Sequence, residues 1–381
     1  MTSPLIAVPA AARSICDALT AQGHGAWVVG GCVRDSLRAQ LSPSGSHYAA
    51  DWDIATSARP EQVQQLFRRV IPTGIEHGTV TVILGKEHYE VTTLRADVGY
   101  SDGRRPDQVQ FVDDIVADLA RRDFTVNAIA YDVKQNTLLD PFGGLDDLRA
   151  GRLRAVGDPA QRFAEDGLRV LRAARFVATL EFSLDPATEQ AILPSLESYR
   201  KVSSERIRDE WLKALKAPSP SRAFAVMRDH GLLEISAPAL SALREQTTPD
   251  RAFSLLDRAL IHLDRAPKIP TLQLASLLHR LAEVPGTAAN KAGDLLHALR
   301  FSNQEIARVK ALITEHRIDY ASTWSDASVR RWLQRVSTAL YSDLITLAEI
   351  TSDDPSDASL LSELHKRAAQ QIQSGAPLSL K

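Results

Sequence analysis

The stretch Val28–Thr56 reads VVGGCVRDSL, then a polar insert, then ends in ADWDIAT, and the rest of the chain is organised around it. A short apolar run, Trp27, Val28 and Val29, stops at Gly30-Gly31 and gives way to the helix-like CVRDSLRAQL, so the segment predicts strand, glycine turn and helix start. Glycines without a Cβ let backbone amides approach a phosphate, and the helix N-terminus and Arg34 add positive potential. Asp51 and Asp53 follow at i and i+2. In a strand they share one face, about 6.5 to 7 Å apart at Cα, and Trp52 between them points to a buried opposite face. That spacing suits divalent ions held jointly by two carboxylates and the phosphates of a nucleotide. Alone, a glycine pair before a helix is a common tight turn, and Asp-x-Asp is common on solvated strand ends. GGCVRD followed roughly twenty residues later by DWDIAT is far more specific.

The 381 residues allow two or three domains, and 44% hydrophobic with 24% charged residues is ordinary for a globular chain. A formal net charge of -2 excludes a global basic field, so any polyanion site must be local. Residues 149–228 carry 15 Lys and Arg against 10 Asp and Glu, which makes the middle of the chain its positive part. Cys16 and Cys32 have neither metal-ligand spacing nor a disulfide framework, as expected in a reducing cytosol. No apolar run approaches a membrane span and the N-terminus lacks a signal-peptide pattern, so a cytoplasmic location with no membrane partner is expected.

Residues 8–22 predict an amphipathic helix with Ala11, Ile15 and Leu19 on one face, and residues 57–70 predict a second, with Pro60 in its first turn. Residues 40–50 read as a polar loop. Alternation over Thr79–Leu84 and His88–Leu94 about Gly85-Lys86 predicts a hairpin that extends the sheet. Glu90, in its second strand, is either a third acidic residue at the metal site or an exposed strand partner of a lysine. Residues 97–108, DVGYSDGRRPDQ, read as a mobile loop. In DDIVADLARRDFTVNAIAYD, helical spacing would bring Arg122, Asp123 and Asn127 together beside the aspartates. There Asn and Asp can hold ribose hydroxyls and Arg can hold phosphate, although a salt-bridged helix face reads the same in isolation.

GGCVRD, DWDIATSARP, GIEHGTVTV, RRDFTVNAIAYD, DPFGGLDDL and EDGLRVLRAARF lie in one order over roughly residues 25–182. Together they closely resemble the class II tRNA nucleotidyltransferases, the CCA-adding enzymes, which share a family with bacterial poly(A) polymerase within the polymerase-beta superfamily. The resemblance implies an α/β nucleotidyltransferase head with a mixed five-stranded sheet, over residues 1–149. It further implies an all-α neck at 150–217 with a nucleotide-selecting helix, and a helical body and tail at 218–381. By this resemblance Asp51 and Asp53 would bind Mg2+, and Gly31, Arg34 and Arg122 would contact the triphosphate. Gly30, Asp123 and Asn127 stand beside them as further candidate nucleotide contacts, and Glu90 as a candidate catalytic acid whose two readings both stay open.

In EDGLRVLRAARF, Asp166, Arg169 and Arg172 recur in three-residue steps on one side of a helix, while Leu168, Leu171 and Ala174 pack the other. Cytosine and adenine both present an amino donor beside a ring acceptor, which a carboxylate and a guanidinium match. Uracil and guanine present the reverse and are rejected. Each bidentate contact contributes about 1 to 3 kcal/mol of discrimination. Arg175 would join Arg172 near phosphates. Farther on, KVSSERIRDEWLKALK resembles the family's neck helix. Ser203 or Ser204 can cap it, Ile207, Trp211 and Leu215 would face the core, and Arg206, Arg208, Lys213 and Lys216 would lie along tRNA phosphates.

Residues 250–315 are similar to an HD phosphohydrolase domain, with departures. His279-Arg280 stands where an His-Asp pair belongs, and the upstream histidine is replaced within Ala252–Ser254. A cation beside such a site repels a metal, so this region is expected to be scaffold, with His279 a core or surface residue. The tail after Asp353 is polar and is expected to contribute little. The implied function is template-independent addition of C, C and A to tRNA from CTP and ATP with release of pyrophosphate, and no obligatory protein partner. CC-only addition, A-only addition, poly(A) polymerase and a silent RNA-binding protein are the alternatives.

Overall fold

A computed structural model describes residues 6–41, 51–98, 108–247, 253–281, 285–352 and 354–374. The insert at 42–50 and most of the loop at 97–108 lie outside the described residues. The chain divides into two compact units, Met1–Ala173 with Leu180–Val202, and Ala174–Thr179 with Ser203–Lys381.

The first unit opens with α1 (Ala10–Ala21), β1 (Ala26–Val29) and α2 (Gly31–Leu41). It continues through β2 (Asp53–Thr56), α3 (Pro60–Leu66), β3 (Val70–Gly74), β4 (Thr79–Leu84) and β5 (Glu87–Thr93). Next come β6 (Arg95–Val98), β7 (Gln108–Phe111), α4 (Ile115–Ala120), β8 (Ala130–Asp132), β9 (Thr137–Leu139) and α5 (Gly144–Ala150). The first unit ends with β10 (Arg152–Leu153), α6 (Pro159–Glu165), the start of α7 (Leu168–Leu180), β11 (Ser183–Leu184), α8 (Pro186–Gln190) and α9 (Leu196–Tyr199). α7 lends Ala174–Thr179 to the second unit.

The main sheet has the order β3-β4-β5-β2-β1-β8-β9, with β2 and β5 parallel and the other neighbours antiparallel. The α/β class stands, but the described sheet is mixed with seven strands rather than five. One reason is a hairpin at the β9 edge: Gln135 N–H donates to Asp132 Oδ1 at 2.8 Å and Asn136 takes φ 55°, closing a tight turn that sets β9 beside β8. The predicted hairpin is present as β4 and β5. Alternation along it buries Val80 and Val82 on one strand and Tyr89, Val91 and Thr93 on the other, leaving Glu90 exposed. Val29, Ala55, Leu94, Leu119, Ala128 and Ala130 meet in one buried cluster that anchors β1 and β2.

Two helix predictions contract. The helix expected over 57–70 ends at Leu66, because β3 claims the chain from Val70. The helix expected through RRDFTVN ends at Ala120, and a 3-10 turn forms over Thr125–Asn127. The expected loop at 97–108 also shortens, since its described ends belong to the β6–β7 ladder.

The second unit is helical throughout its described residues. It contains α10 (Ser204–Leu215), α11 (Ser221–Asp229), α12 (Leu232–Ser236), α13 (Pro238–Ser241), α14 (Leu255–Arg265) and α15 (Pro270–Leu278). α16 (Pro285–Ala298), α17 (Asn303–Glu315), α18 (Asp326–Val336), α19 (Tyr341–Thr351) and α20 (Pro355–Gln373) complete it. α10 buries Ile207, Trp211 and Leu215 as its spacing predicts, with Trp211 edge-on to Phe224 at 4.9 Å. The tail differs from expectation. Leu361, Leu364 and Ala368, at helical spacing on α20, are buried, and Arg367 donates to the Trp324 carbonyl at 2.6 Å and to Asp326 at 2.8 Å. A polar composition hid one apolar stripe. Among the described residues, no helix is long and apolar enough to cross a membrane.

Candidate active site

Gly30 ends β1 with φ 79°, a left-handed conformation that lets α2 begin at Gly31 directly beneath the strand end. The first amides of α2 have no partner one turn back within the helix, so they remain donors at the turn. A Cβ on Gly30 would lie 2.7 Å from Arg122 Nη1 and 3.9 Å from Asp53 Oδ2. The missing side chain is therefore what allows a glycine turn, a guanidinium and a carboxylate to converge. Gly30→Ala is expected to cost about 1 to 2 kcal/mol in stability from the left-handed backbone. By displacing Arg122 it should also slow turnover by up to about a hundredfold. Melting and single-turnover kinetics check this, and unchanged kinetics would remove Arg122 from the site.

β2 starts at Asp53, so Asp51 lies just before the strand instead of within it. The parallel register Ile54↔Val91 sets Asp53 beside Glu90 one step back. The Asp53 carboxyl is pushed up to about 6 by burial, then by the charges of Glu90 and Asp51, against the opposing pull of Arg122. Glu90 thus belongs to the acidic neighbourhood of Asp53. A divalent cation would relieve that crowding, so the donor set fits one. Among the described residues, no three His, Cys, Asp or Glu side chains form a metal-binding group, so oxygens from elsewhere would have to complete the coordination.

The raised Asp53 carboxyl carries a stability consequence. Its proton is held more tightly in the fold than in the unfolded chain, so its contribution is full below 3.8 and is lost as pH rises through about 6. Metal-free Asp53→Asn should therefore melt higher than the parent above pH 6, by roughly 1 to 3 kcal/mol, and match it near pH 4. An equal difference at both pH values would contradict the crowding.

Arg34 is 8% exposed and reaches inward from α2. Its guanidinium pairs with Asp35 at 2.8 and 2.9 Å and also donates to Asn127 Oδ1. Asn127 Nδ2 donates to Asp123 Oδ1 at 3.0 Å, and the second Asp123 oxygen accepts a two-pronged contact from Arg172 at 2.7 and 2.6 Å. Burial raises the Asp123 carboxyl, but Arg172, Asn127 and the Phe124 amide outweigh it and hold the group well below the usual carboxylate range. Arg122, Asp123 and Asn127 do come together, through the turn rather than along a helix. Asp123 is occupied by protein partners, which makes it a positioning group.

The nucleotide-selecting segment departs from a single helix face. α6 ends at Glu165, Asp166 takes an extended backbone, and α7 starts at Leu168. Asp166 Oδ1 accepts from the Leu168 amide at 3.0 Å, and the Arg169 amide donates to the Asp166 carbonyl at 2.9 Å. The Arg169 guanidinium, 8% exposed overall, is gripped by Glu165 at 2.6 Å and by the carbonyls of Arg162 and Arg121. Next to the break, Gly167 keeps a helical backbone, and its Cβ would lie 2.2 Å from the Ser198 carbonyl oxygen, so the chain must pass there without a side chain. Leu168, Leu171 and Ala174 are buried as predicted.

Arg175 does not join Arg172 as expected. Its Nε lies 2.5 Å from Glu210, which is 2% exposed on its side chain, and its guanidinium stacks 3.9 Å from the Phe176 ring. On α10, Lys213 pairs with the same Glu210 at 3.0 Å, and Arg208 donates to the Arg300 carbonyl at 2.6 Å and pairs with Asp209. Lys216 is exposed and Arg206 half-buried. Sequence reasoning missed Asp118, 2% exposed, which holds Arg121 at 3.2 Å and Arg122 at 3.5 Å, and it missed Glu165. The signal was available in both cases, as acid–arginine pairs at three- and four-residue helical spacing.

Residues 26–154 match the family model of the poly A polymerase head domain, and residues 181–243 match that of a probable RNA and SrmB-binding site of polymerase A. The chain is 48% identical over 224 residues to a CCA-adding enzyme of Lactobacillus johnsonii, covering 59% of this chain and 54% of that protein. It is 41% identical over 257 residues to one from Streptococcus suis, covering 65% and 61%. The aligned part therefore spans only about half to three-fifths of the length of these two relatives. The crystal structure of the Bacillus stearothermophilus CCA-adding enzyme in complex with CTP superposes with a TM-score of 0.73 at 31% identity, over 94% of this chain and 82% of that one. With both the head's sequence and the fold shared across four-fifths of that enzyme, the chain belongs to the CCA-adding enzyme family built on the poly A polymerase head.

Proposed function

We propose that this chain adds C, C and A to the 3′ end of tRNA from CTP and ATP, releasing pyrophosphate, without a nucleic-acid template and in the cytoplasm. The convergence of Gly30, Arg122 and Asp53 at the end of β1 carries this reading, because it sets anion donors against a carboxylate on one turn. Gly30, Gly31, Arg34 and Arg122 hold the triphosphate. Asn127 keeps Arg34 aimed, and Asp123 keeps Asn127 and Arg172 in place. Asp51 and Asp53 hold Mg2+, with Glu90 beside them. When bound, the metal offsets charge on the phosphates and makes the attacking hydroxyl more acidic.

Asp166 and Arg169 read the amino-bearing edges of cytosine and adenine, Arg169 being fixed from behind by Glu165. Head, neck, and body with tail fall at 1–149, 150–217 and 218–381. Arg206, Arg208, Lys213 and Lys216 line tRNA phosphates, so affinity falls steeply with salt. Incubating tRNA that lacks its 3′ end with CTP, with ATP and with both, then sequencing products, tests the reading. A CCA end with both nucleotides supports it. Long A tails, a product stopping at CC, addition of A only, or no extension each overturn it in favour of a named alternative.

A further inference from the structure

The second unit holds a cavity of about 500 Å³, within the range of small-molecule sites. Its lining includes two Arg-bearing dipeptides, His279-Arg280 after α15 and His316-Arg317 after α17. The imidazoles meet at 5.5 Å, and His279 stands 5.3 Å from His262, so a row of three buried histidines backs this part of the unit. The two rings that line the cavity are tied down: His279 Nδ1 pairs with the Ser276 carbonyl at 2.8 Å and His316 Nδ1 with the Ile313 carbonyl at 2.6 Å. Neutral rings at neutral pH follow from that setting. Burial comes first in holding both below their ordinary range, with the His262 and His316 rings and Arg280 acting further on His279, and Arg317 and Arg280 on His316.

The charge in the cavity therefore comes from Arg280 and Arg317 together with the carboxylates Asp319 and Asp357, all of which line it. Asp357 accepts from the Ser352 hydroxyl at 2.6 Å, adding a polar pair to the wall. Two guanidiniums in a lining that also holds neutral imidazoles match a phosphate, because Arg offers a rigid fork of donors without needing a proton shift. Carboxylates and hydroxyls in the same lining match the hydroxyl groups of a sugar. Arg280, in the position where the resembled domain has a metal-binding acid, turns the local field from cation-attracting to anion-attracting.

We propose that this cavity binds a small phosphate monoester bearing sugar hydroxyls, with Arg280 and Arg317 on the phosphate and Asp319 and Asp357 on the hydroxyls. The site is one of binding without chemistry, built from residues other than those proposed to add nucleotides. The test is titration of the full chain, without divalent metal, with AMP, ribose 5-phosphate, inorganic phosphate and adenosine. It is followed by calorimetry and by the NMR signals of His279 and His316. AMP and ribose 5-phosphate are expected to bind and shift both histidine signals, inorganic phosphate more weakly and adenosine not at all. Arg280→Gln with Arg317→Gln should weaken ribose 5-phosphate at least about tenfold, whereas Arg280→Lys with Arg317→Lys should keep it within a few-fold. Histidine signals unmoved by every probe would overturn the proposal even if the variants do not fold. So would adenosine binding as well as AMP, phosphate alone binding as well as its ester, or a Gln pair that binds like the parent.

Discussion

Asp53→Ala is expected to slow nucleotide addition on the order of a thousandfold or more while tRNA affinity stays within a few-fold. The two effects separate because they rest on different physics. Asp53 opens β2 among Glu90, Asp51 and Arg122, where on the proposed function it would serve the charge of the reacting phosphates. Losing several kcal/mol of charge stabilisation there corresponds to three or more powers of ten in rate. On the proposed function, affinity for tRNA comes from many phosphate contacts, each released with its counterion, and the loss of one carboxylate barely changes that sum. Single-turnover extension together with filter binding measures both. A variant that still extends tRNA at a normal rate would remove Asp53 from the chemistry.

Asp123→Ala should cost about 3 to 5 kcal/mol in stability. The carboxylate is 8% exposed and satisfies Arg172, Asn127 and the Phe124 amide together. Removing it takes a buried carboxylate away from the guanidinium and amides it satisfies, which costs more than the pair itself contributes. Because Asn127 also orients Arg34, the KM for CTP should rise along with the loss of stability. Asp123→Asn keeps the shape and some hydrogen bonds but loses the charge, so it should fall between the two. Denaturant melts and steady-state kinetics with CTP read these effects. An Asp123→Ala protein as stable as the parent would show that Arg172 finds another partner at no cost.

Local spacing made much of this legible. The strand, Gly30-Gly31 turn and helix at the start of the site are local features, as are the β4–β5 hairpin and the buried stripe of α10. The aspartate pair is likewise a local signal, although the strand begins only at the second member. The rest depended on partners far apart in the chain. Arg34 meets Asn127 across 93 positions and Arg172 meets Asp123 across 49, and no periodicity tells a guanidinium which carboxylate it will choose.

Arg175 illustrates the point, since its helical step from Arg172 predicted a shared phosphate while Glu210 on α10 holds it instead. The break at Asp166 and Gly167 was hidden for a similar reason. EDGLRVLRAARF has an unbroken helical pattern, and the close pass of Ser198 at Gly167 is a contact that no local spacing reports. The extra sheet hairpin and α20 were missed because short strands and a narrow apolar stripe carry little signal by themselves.

The most direct measurement is a crystal structure of the chain with CTP and Mn2+, the metal placed by its anomalous signal. The account predicts manganese touching both Asp51 and Asp53, the triphosphate against Gly31, Arg34 and Arg122, and the cytosine amino group facing the Asp166 carboxylate with Arg169 at the ring acceptor. A metal that contacts neither aspartate, or a cytosine whose amino edge turns away from Asp166, would contradict it.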